Sequence, residues 1–391
     1  MARTGMWAVL LLMKSLLIAA GGGGDAITAT LVHAALHGAD APALVLTYAW
    51  ERLVVDPVPG PRGRADFTGT VPAGDQLRLI TPRSAPLPPA GSSLPRLAAD
   101  LRPELGLLDP YEGTPGLAAQ IGEAVTHCGA DRIVVVDVGG DVVTDGTEPT
   151  LRSPLADALV LAACARLGTP AEVYVAGPGL DNEVPAELLL PRLGAPAFAL
   201  EAADTEPVGA VFDWHPSEAS ALLVAAARGV RGVCGTRDSE RPITLTSDAA
   251  HVHRLTLEDA LRLNPLARAL ADAADLAEAE EASRQVCGFS EIERERRRAL
   301  ALREENADGT GAATAARAEG APEGRRAPEG LWDRFLDWER TTFRLGLSHV
   351  TSRRIREELR LGLDAFQRLR AQLMAASPAR DAAPLWRLHG G

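Results

Sequence analysis

Lysine is almost absent from this chain of 391 residues: Lys14 stands alone against a large complement of arginines. A phosphate-loop NTPase needs a lysine after its glycines and a Schiff-base enzyme needs one as nucleophile, so neither class fits. The GxxxxGK[ST] motif, the GxSxG elbow of serine hydrolases and any paired Cys and His motif are missing too. Cysteine is scarce. Cys128, Cys164, Cys234 and Cys287 are far apart, without CxxC or CxH spacing, which argues against a zinc site or a disulfide framework and for small buried apolar residues. Basic charge is short overall, and the net charge of -12 speaks against a dedicated nucleic-acid or anionic-membrane surface. Small molecules and proteins are the expected partners.

A membrane-spanning run is missing as well. The apolar stretch 6–20 is interrupted by Lys14, is short for a span, and has no small-x-small cleavage site before the glycines that follow. Translation from Met13 would leave residues 1–12 outside the native protein, and a cytoplasmic location is expected. Abundant alanine, glycine and proline, with arginine in place of lysine, look like a GC-rich genome such as an actinobacterium's.

With 46% hydrophobic residues the chain can bury the core of one large or two smaller domains. From residue 15 to about 200, short apolar runs alternate with amphipathic alanine-rich segments, which predicts an α/β fold of parallel strands and crossover helices. Strands are expected at 16–20, 44–48, 77–80, 133–137 and 172–176, and helices at 26–37, 116–128, 154–167 and 185–193. The proline- and serine-rich stretch 81–95 reads as a loop. Further strand or helix elements are expected at 208–212, 217–228, 243–245 and 251–255, with a helix from 257 and a charged helix over 276–305. The main domain spans 13–290. Residues 306–330 form a low-complexity linker, and 331–388 a helical appendage with Trp332, Phe335, Trp338 and Phe343 at helical spacing. Packing on the main domain, on a partner or on a second copy would bury that stripe.

Each predicted strand ends in a loop of glycine and acidic residues, and in an open α/β sheet such loops gather at the carboxyl edge, where ligands bind. Gly21, Gly22, Gly23 and Gly24 lie between the first strand and its helix, permitting positive φ and close approach, while the amides of the helix start suit an anion such as phosphate. Asp25 is either a helix cap or a ligand. Arg62, presented by the stiff segment Asp56-Pro57-Val58-Pro59-Gly60-Pro61, can hold that anion or sit in a structural ion pair, and Arg52 is the alternative donor. Asp137, Asp141, Asp145 and Glu148 crowd the next loop. Carboxylates packed this closely repel unless a cation or hydrogen-bond donors intervene, so they either hold Mg²⁺ or Ca²⁺ or cap helices and fix turns. Asp181 and Glu183 join the same pocket if the strands before them are neighbours, and with Asp141 they are the candidate catalytic carboxylates. Asp157 reads as a first-turn helix residue, His215 as a cap, and His33, His37, His251 and His253 as structural.

Gly21–Asp25, Trp50-Glu51-Arg52 with Asp56 to Arg62, Asp137-Val138-Gly139-Gly140-Asp141 through Glu148, Ser153-Pro154-Leu155-Ala156-Asp157 and Gly177-Pro178-Gly179-Leu180-Asp181 together resemble the domain-of-unknown-function family 1152 over about residues 13–290. The resemblance implies a Rossmann-like fold, a mostly parallel sheet flanked by helices, and an origin among archaea and actinobacteria. It supplies no activity.

From the residues, the chain is expected to be an enzyme that binds a phosphorylated sugar, nucleoside or nucleotide-like molecule. Hydrolysis or group transfer would be assisted by the carboxylate cluster, with or without a divalent cation. A nicotinamide-dependent oxidoreductase needs only the first strand-helix-strand unit, although Ala26 occupies the third glycine position of GxGxxG. A ligand-sensing or scaffold protein, contacting a partner through its tail, is the third reading.

Overall fold

Leu16 and Ile18 pack into one apolar cluster and Leu17 and Ala19 into another, so the first strand is buried on both faces. The computed structural model describes residues 15–209, 211–237, 239, 241–307 and 330–389. Residues 1–14, with Met13 and Lys14, and most of the expected linker lie outside the described residues.

Two larger sheets are built from β1 (Ser15–Ala19), β2 (Ala43–Tyr48), β3 (Val71–Pro72), β4 (Arg78–Ile80), β5 (Glu104–Leu108), β6 (Ile133–Val138), β7 (Ala171–Ala176), β8 (Pro196–Ala199), β9 (Gly232–Gly235), β10 (Ile243–Leu245), β11 (His251–Thr256), β12 (His349–Thr351), β13 (Asp381–Ala382) and β14 (Leu385–Arg387). The helices are α1 (Gly23–His37), α2 (Leu94–Asp100), α3 (Gly113–Cys128), α4 (Leu155–Ala165), α5 (Ala186–Leu193), α6 (Glu218–Ala227), α7 (Leu257–Leu263), α8 (Pro265–Ala269), α9 (Leu276–Cys287), α10 (Glu291–Ala307), α11 (Leu331–Arg344), α12 (Ser352–Glu358) and α13 (Leu363–Ala376). The main sheet has nine strands in the order β8-β11-β7-β6-β1-β2-β5-β4-β3. Its centre, β7-β6-β1-β2-β5, is parallel throughout, and both flanks are antiparallel. Helices α1, α2 and α6 cover one face, and α3, α4 and α7 to α9 cover the other.

From β1 the chain steps to β2 and β5 on one side, then returns to place β6 on the other side of β1. The strand order therefore reverses between β1 and β6. That reversal opens a crevice at the carboxyl edge, because the two following crossovers leave in opposite directions. The turn after β1 and the loops after β6 and β7 all face it.

Several expectations change in detail. The strand expected at 77–80 runs antiparallel rather than parallel, and the element at 251–256 is a strand, also antiparallel. The segment 208–212 is not a strand but part of two 3-10 turns, Ala202–Val208 with Pro207 inside and Val211–Asp213. The charged helix expected over 276–305 is two helices, broken where Gly288 takes a left-handed φ of 77° and Ser290 caps the second one. Strand β5 escapes the apolar-run criterion because Gly106 interrupts it. A Cβ there would stand 2.5 Å from Leu46, so β5 can approach β2 only with glycine at that place.

The C-terminal region is helical but adds strands of its own. The second sheet runs β10-β9-β12-β14-β13, with β9 of the main chain paired in parallel to β12 of the tail. Phe335, Val350, Ile355, Phe366 and Trp386 form a third apolar cluster. Of the expected aromatic stripe, Phe335 is fully buried, Trp332 and Trp338 are half-buried, and Phe343 is exposed. Among the described residues no helix is long and apolar enough to cross a membrane.

Candidate active site

The glycines after β1 serve close packing rather than unusual backbone geometry. None of Gly21, Gly22, Gly23 or Gly24 has positive φ, which corrects the expectation for this turn. A Cβ on Gly22 would run into the Trp50 carbonyl, one on Gly23 would lie 2.9 Å from Ser93 Oγ, and one on Gly24 would lie 2.7 Å from Ser217 Oγ. The start of α1 is thus wedged between the loop after β2 and the start of α6. No side chain caps it; the Asp25 amide donates to the Gly22 carbonyl at 3.0 Å, and Gly21 to Gly24 line the crevice.

Positive φ is used instead after β6, where Gly139 and Gly140 stand at φ 119° and 118°. A Cβ on Gly139 would collide with the Asp181 carboxylate, so glycine lets the loops after β6 and β7 meet. The Gly179 amide donates to the Gly139 carbonyl at 2.7 Å and fixes that meeting. Asp141, Asp181 and Glu183 consequently bring one carboxylate oxygen each within 4.8 Å of one another. Asp141 and Glu183 are buried, and Asp181 is half-buried.

Around this trio lies a cavity of about 200 Å³ lined by Gly21 to Gly24 and by an unusual number of acids: Asp25, Glu51, Asp137, Asp157, Glu291 and Glu295 besides the three. Each acid is held differently. Asp25 accepts from the Val138 amide at 3.1 Å, and Asp137 from the Val142 amide at 3.1 Å. Glu183 accepts from the Arg152 and Ser153 amides at 2.6 and 2.9 Å and from Ser153 Oγ at 2.6 Å. Glu291 accepts from the Leu155 amide at the start of α4, while Glu295 is held by the Trp50 indole and the Gly60 amide. Two buried oxygens have no hydrogen-bond partner: Asp141 Oδ1 and Asp157 Oδ1. A buried carboxylate oxygen without a donor is costly unless something else satisfies it.

The electrostatics follow from burial and like charge. Loss of solvation pushes Asp25 up to about 7, and Asp137 and Asp181 up to about 8, with neighbouring carboxylates adding to the rise. Burial raises Asp141, Asp157 and Glu291 well above the usual carboxylate range, again with repulsion from neighbouring acids. His215, at the cavity edge, is pushed down to about 3 by burial, so it is neutral; its Nδ1 accepts from the Ser217 amide.

A wider cavity of about 610 Å³ opens outward from the same place and shares Arg52, Ser153, Glu183, Glu291 and Glu295 with the acidic one. Its wall carries eight arginines against four glutamates, drawn from the loop after β2, Arg152, Arg237, helix α10 and the C-terminal helix α12. An acidic floor therefore lies under a basic mouth. Helix α10 serves both, turning Glu291 and Glu295 toward the floor and Arg294, Arg297 and Arg298 toward the mouth.

Three of the expected site residues are placed elsewhere. Arg62 does not reach the crevice: its guanidinium pairs with Asp56 at 3.0 Å and donates to the carbonyls of Val58, Pro59 and Gly60, fastening its own loop. Asp145 and Glu148 bind Arg192 at 3.0 and 2.5 Å, and Glu148 also receives the amides of Asp145 and Gly146, so they close a turn outside both cavities. Arg52 lines the mouth where Arg62 was expected. Glu291 and Glu295 were not anticipated, because they sit in a helix whose dense alternating charge reads as a solvated face.

The chain belongs to the family described as protein of unknown function (DUF1152), whose model matches residues 16–299. Each of the segments that carried the resemblance sends residues to the crevice, among them Gly21, Arg52, Asp141, Ser153 and Asp181, while Arg62, Asp145 and Glu148 turn away from it. No curated protein and no solved structure matches the chain.

Proposed function

We propose that this chain is an enzyme acting on a phosphorylated sugar, nucleoside or nucleotide-like molecule bound at the crevice of a Rossmann-like sheet, by hydrolysis or group transfer. What carries the reading is the continuity of an acidic floor with an arginine mouth. Asp141, Asp181 and Glu183 are set to hold a divalent cation such as Mg²⁺ or Ca²⁺, and the partnerless Asp141 Oδ1 is an oxygen with no other task. Mg²⁺ commonly binds through one or two carboxylates together with substrate phosphates, which matches three acids beside a basic opening. A bound cation would lower the charge on the reacting phosphate group and polarise it.

The remaining acids divide the protein's own work. Asp25, with its proton affinity near neutrality, is matched to a general base that takes the proton of an attacking water or hydroxyl. The arginines of the mouth, rather than the acid-crowded turn after β1, offer hydrogen bonds to the anionic part of the ligand. The oxidoreductase reading is weaker on this geometry. A dinucleotide's pyrophosphate would have to lie over Gly21 to Gly24, where Asp25 and Asp137 already crowd the turn.

The test is a thermal-shift screen of the full chain with divalent cations and a panel of phosphorylated sugars and nucleotides, followed by assay of the stabilising compounds for phosphate release or transfer. A cation-dependent shift with turnover supports the proposal. Binding without turnover would favour a ligand sensor, and no cation response would remove the metal from the reading.

A further inference from the structure

Resting on that reading, we infer that the mouth is a subsite for a diphosphate, so that the ligand carries two linked phosphates rather than one. The first ground is charge. Eight arginines face four glutamates across a concave space of about 610 Å³, in a protein whose net charge is -12. One phosphate is satisfied by one or two guanidinium forks, and this wall offers several more.

The second ground is how those arginines are engaged. Arg237 and Arg353 are tied to Glu357, and Arg353 also lies near Glu218, so the α12 side of the wall is internally balanced. Helix α10 is different. Arg297 and Arg303 are exposed and make no hydrogen bond or ion pair among the described residues. Arg294, Arg297 and Arg298 recur at spacings of three and four, which places like charges side by side on one helix face. Glu291 and Glu295 alternate with Arg294 and Arg298 on that face, so the charge left without a carboxylate partner among the described residues is that of Arg297 and Arg303. The row lines the mouth.

The third ground is position. The mouth and the floor meet at Ser153 and Glu183, one a partner and the other a member of the carboxylate trio. A single phosphate at that junction lies beside the acids; a second, linked to it, extends outward onto the α10 arginines. The C-terminal region, which lies beyond the family's matched residues, completes the wall through Arg353 and Glu357.

The experiment is calorimetric titration of the full chain with inorganic pyrophosphate and with inorganic phosphate, in EDTA so that the floor contributes no cation. Pyrophosphate is expected to bind at least about tenfold more tightly than phosphate, and the double variant Arg297→Ala/Arg303→Ala to lose about tenfold or more of the pyrophosphate affinity. Both positions are exposed on a helix, where alanine favours the fold. Equal affinity for the two ions, no binding, or pyrophosphate affinity unchanged in the double variant would overturn the inference. The proposed function is read separately, from the cation-induced thermal shift without any phosphate compound. A shift that persists while pyrophosphate fails sinks the diphosphate subsite alone.

Discussion

The amide of Val138 donates a 3.1 Å hydrogen bond to the carboxylate of Asp25, joining the end of β6 to the turn after β1. Val138 ends β6 and Asp25 lies in the first turn of α1, which follows the neighbouring β1, so the bond spans the crevice where the strand order reverses. It also explains why Asp25 is neither a simple helix cap nor a free ligand. One oxygen is used to hold the sheet edge, and the group stays close enough to Asp181 and Asp137 for their charges to act on it.

Asp141→Asn should abolish the stabilisation by Mg²⁺ or Ca²⁺ while leaving the fold intact. The substitution keeps the shape and takes one ionisable group out of a crowded, buried cluster, so the cation-free variant should melt at or above the temperature of the parent. A cation at about 100 times its dissociation constant adds about 2.7 kcal/mol to the native state, a shift easily read by scanning calorimetry. An undiminished response in Asp141→Asn would remove that carboxylate from the cation site.

Without a cation, stability should fall as pH rises from mildly acidic to mildly basic. Asp25 keeps its proton up to about 7, and Asp137 and Asp181 up to about 8, whereas in the unfolded chain all three titrate near the ordinary 3.8. Between those limits the native state binds more protons than the unfolded state, so this contribution is whole below the unfolded value and is lost as pH climbs through 7 and 8. Melting curves in EDTA should therefore show a higher midpoint at about pH 5.5 than at about pH 8, and added Mg²⁺ should narrow the gap. A midpoint that rises over that interval in EDTA would contradict the charge assignment.

The parallel centre of the sheet was legible because strands buried on both faces are rich in apolar residues, as in β1, β2, β6 and β7. Strand β5 was not, since close approach to Leu46 demands Gly106 in its middle. The acids after β6 and β7 could be nominated by residue type and loop position. Which of them meet depends on two positive-φ glycines and on how far each loop curls back, and that is a property of three dimensions. Arg62 and Glu148 carried the right chemistry, but their partners Asp56 and Arg192 were invisible as partners until the chain was folded. Glu291 and Glu295 left a faint signal, an i, i+4 acid pair interleaved with Arg294 and Arg298 on one helix face.

Gly22→Ala should cost about 1–3 kcal/mol, because its new methyl group meets the rigid Trp50 carbonyl rather than a side chain that can turn away. Gly168→Ala is the control. A Cβ there meets nothing within 4 Å, and φ is not positive. Urea unfolding midpoints compare the two, and equal midpoints would show that the turn yields without strain.

Glu218→Ala should loosen the C-terminal region from the main sheet. This buried carboxylate receives the Arg237 amide at 2.8 and 2.9 Å, accepts the Thr351 hydroxyl, and lies 3.9 Å from Arg353. It thereby ties α6, the loop after β9 and the β12–α12 corner together at one point. Removing it takes a carboxylate away from buried Arg353 and strips the Arg237 amide of its acceptor, at a cost of about 3 kcal/mol. The cost should be local: amide hydrogen exchange should quicken across 349–387 while β1 and β6 keep their protection. If exchange in β12 and β14 matches the parent, the pairing of β9 with β12 holds the region by itself and Glu218 is dispensable for docking.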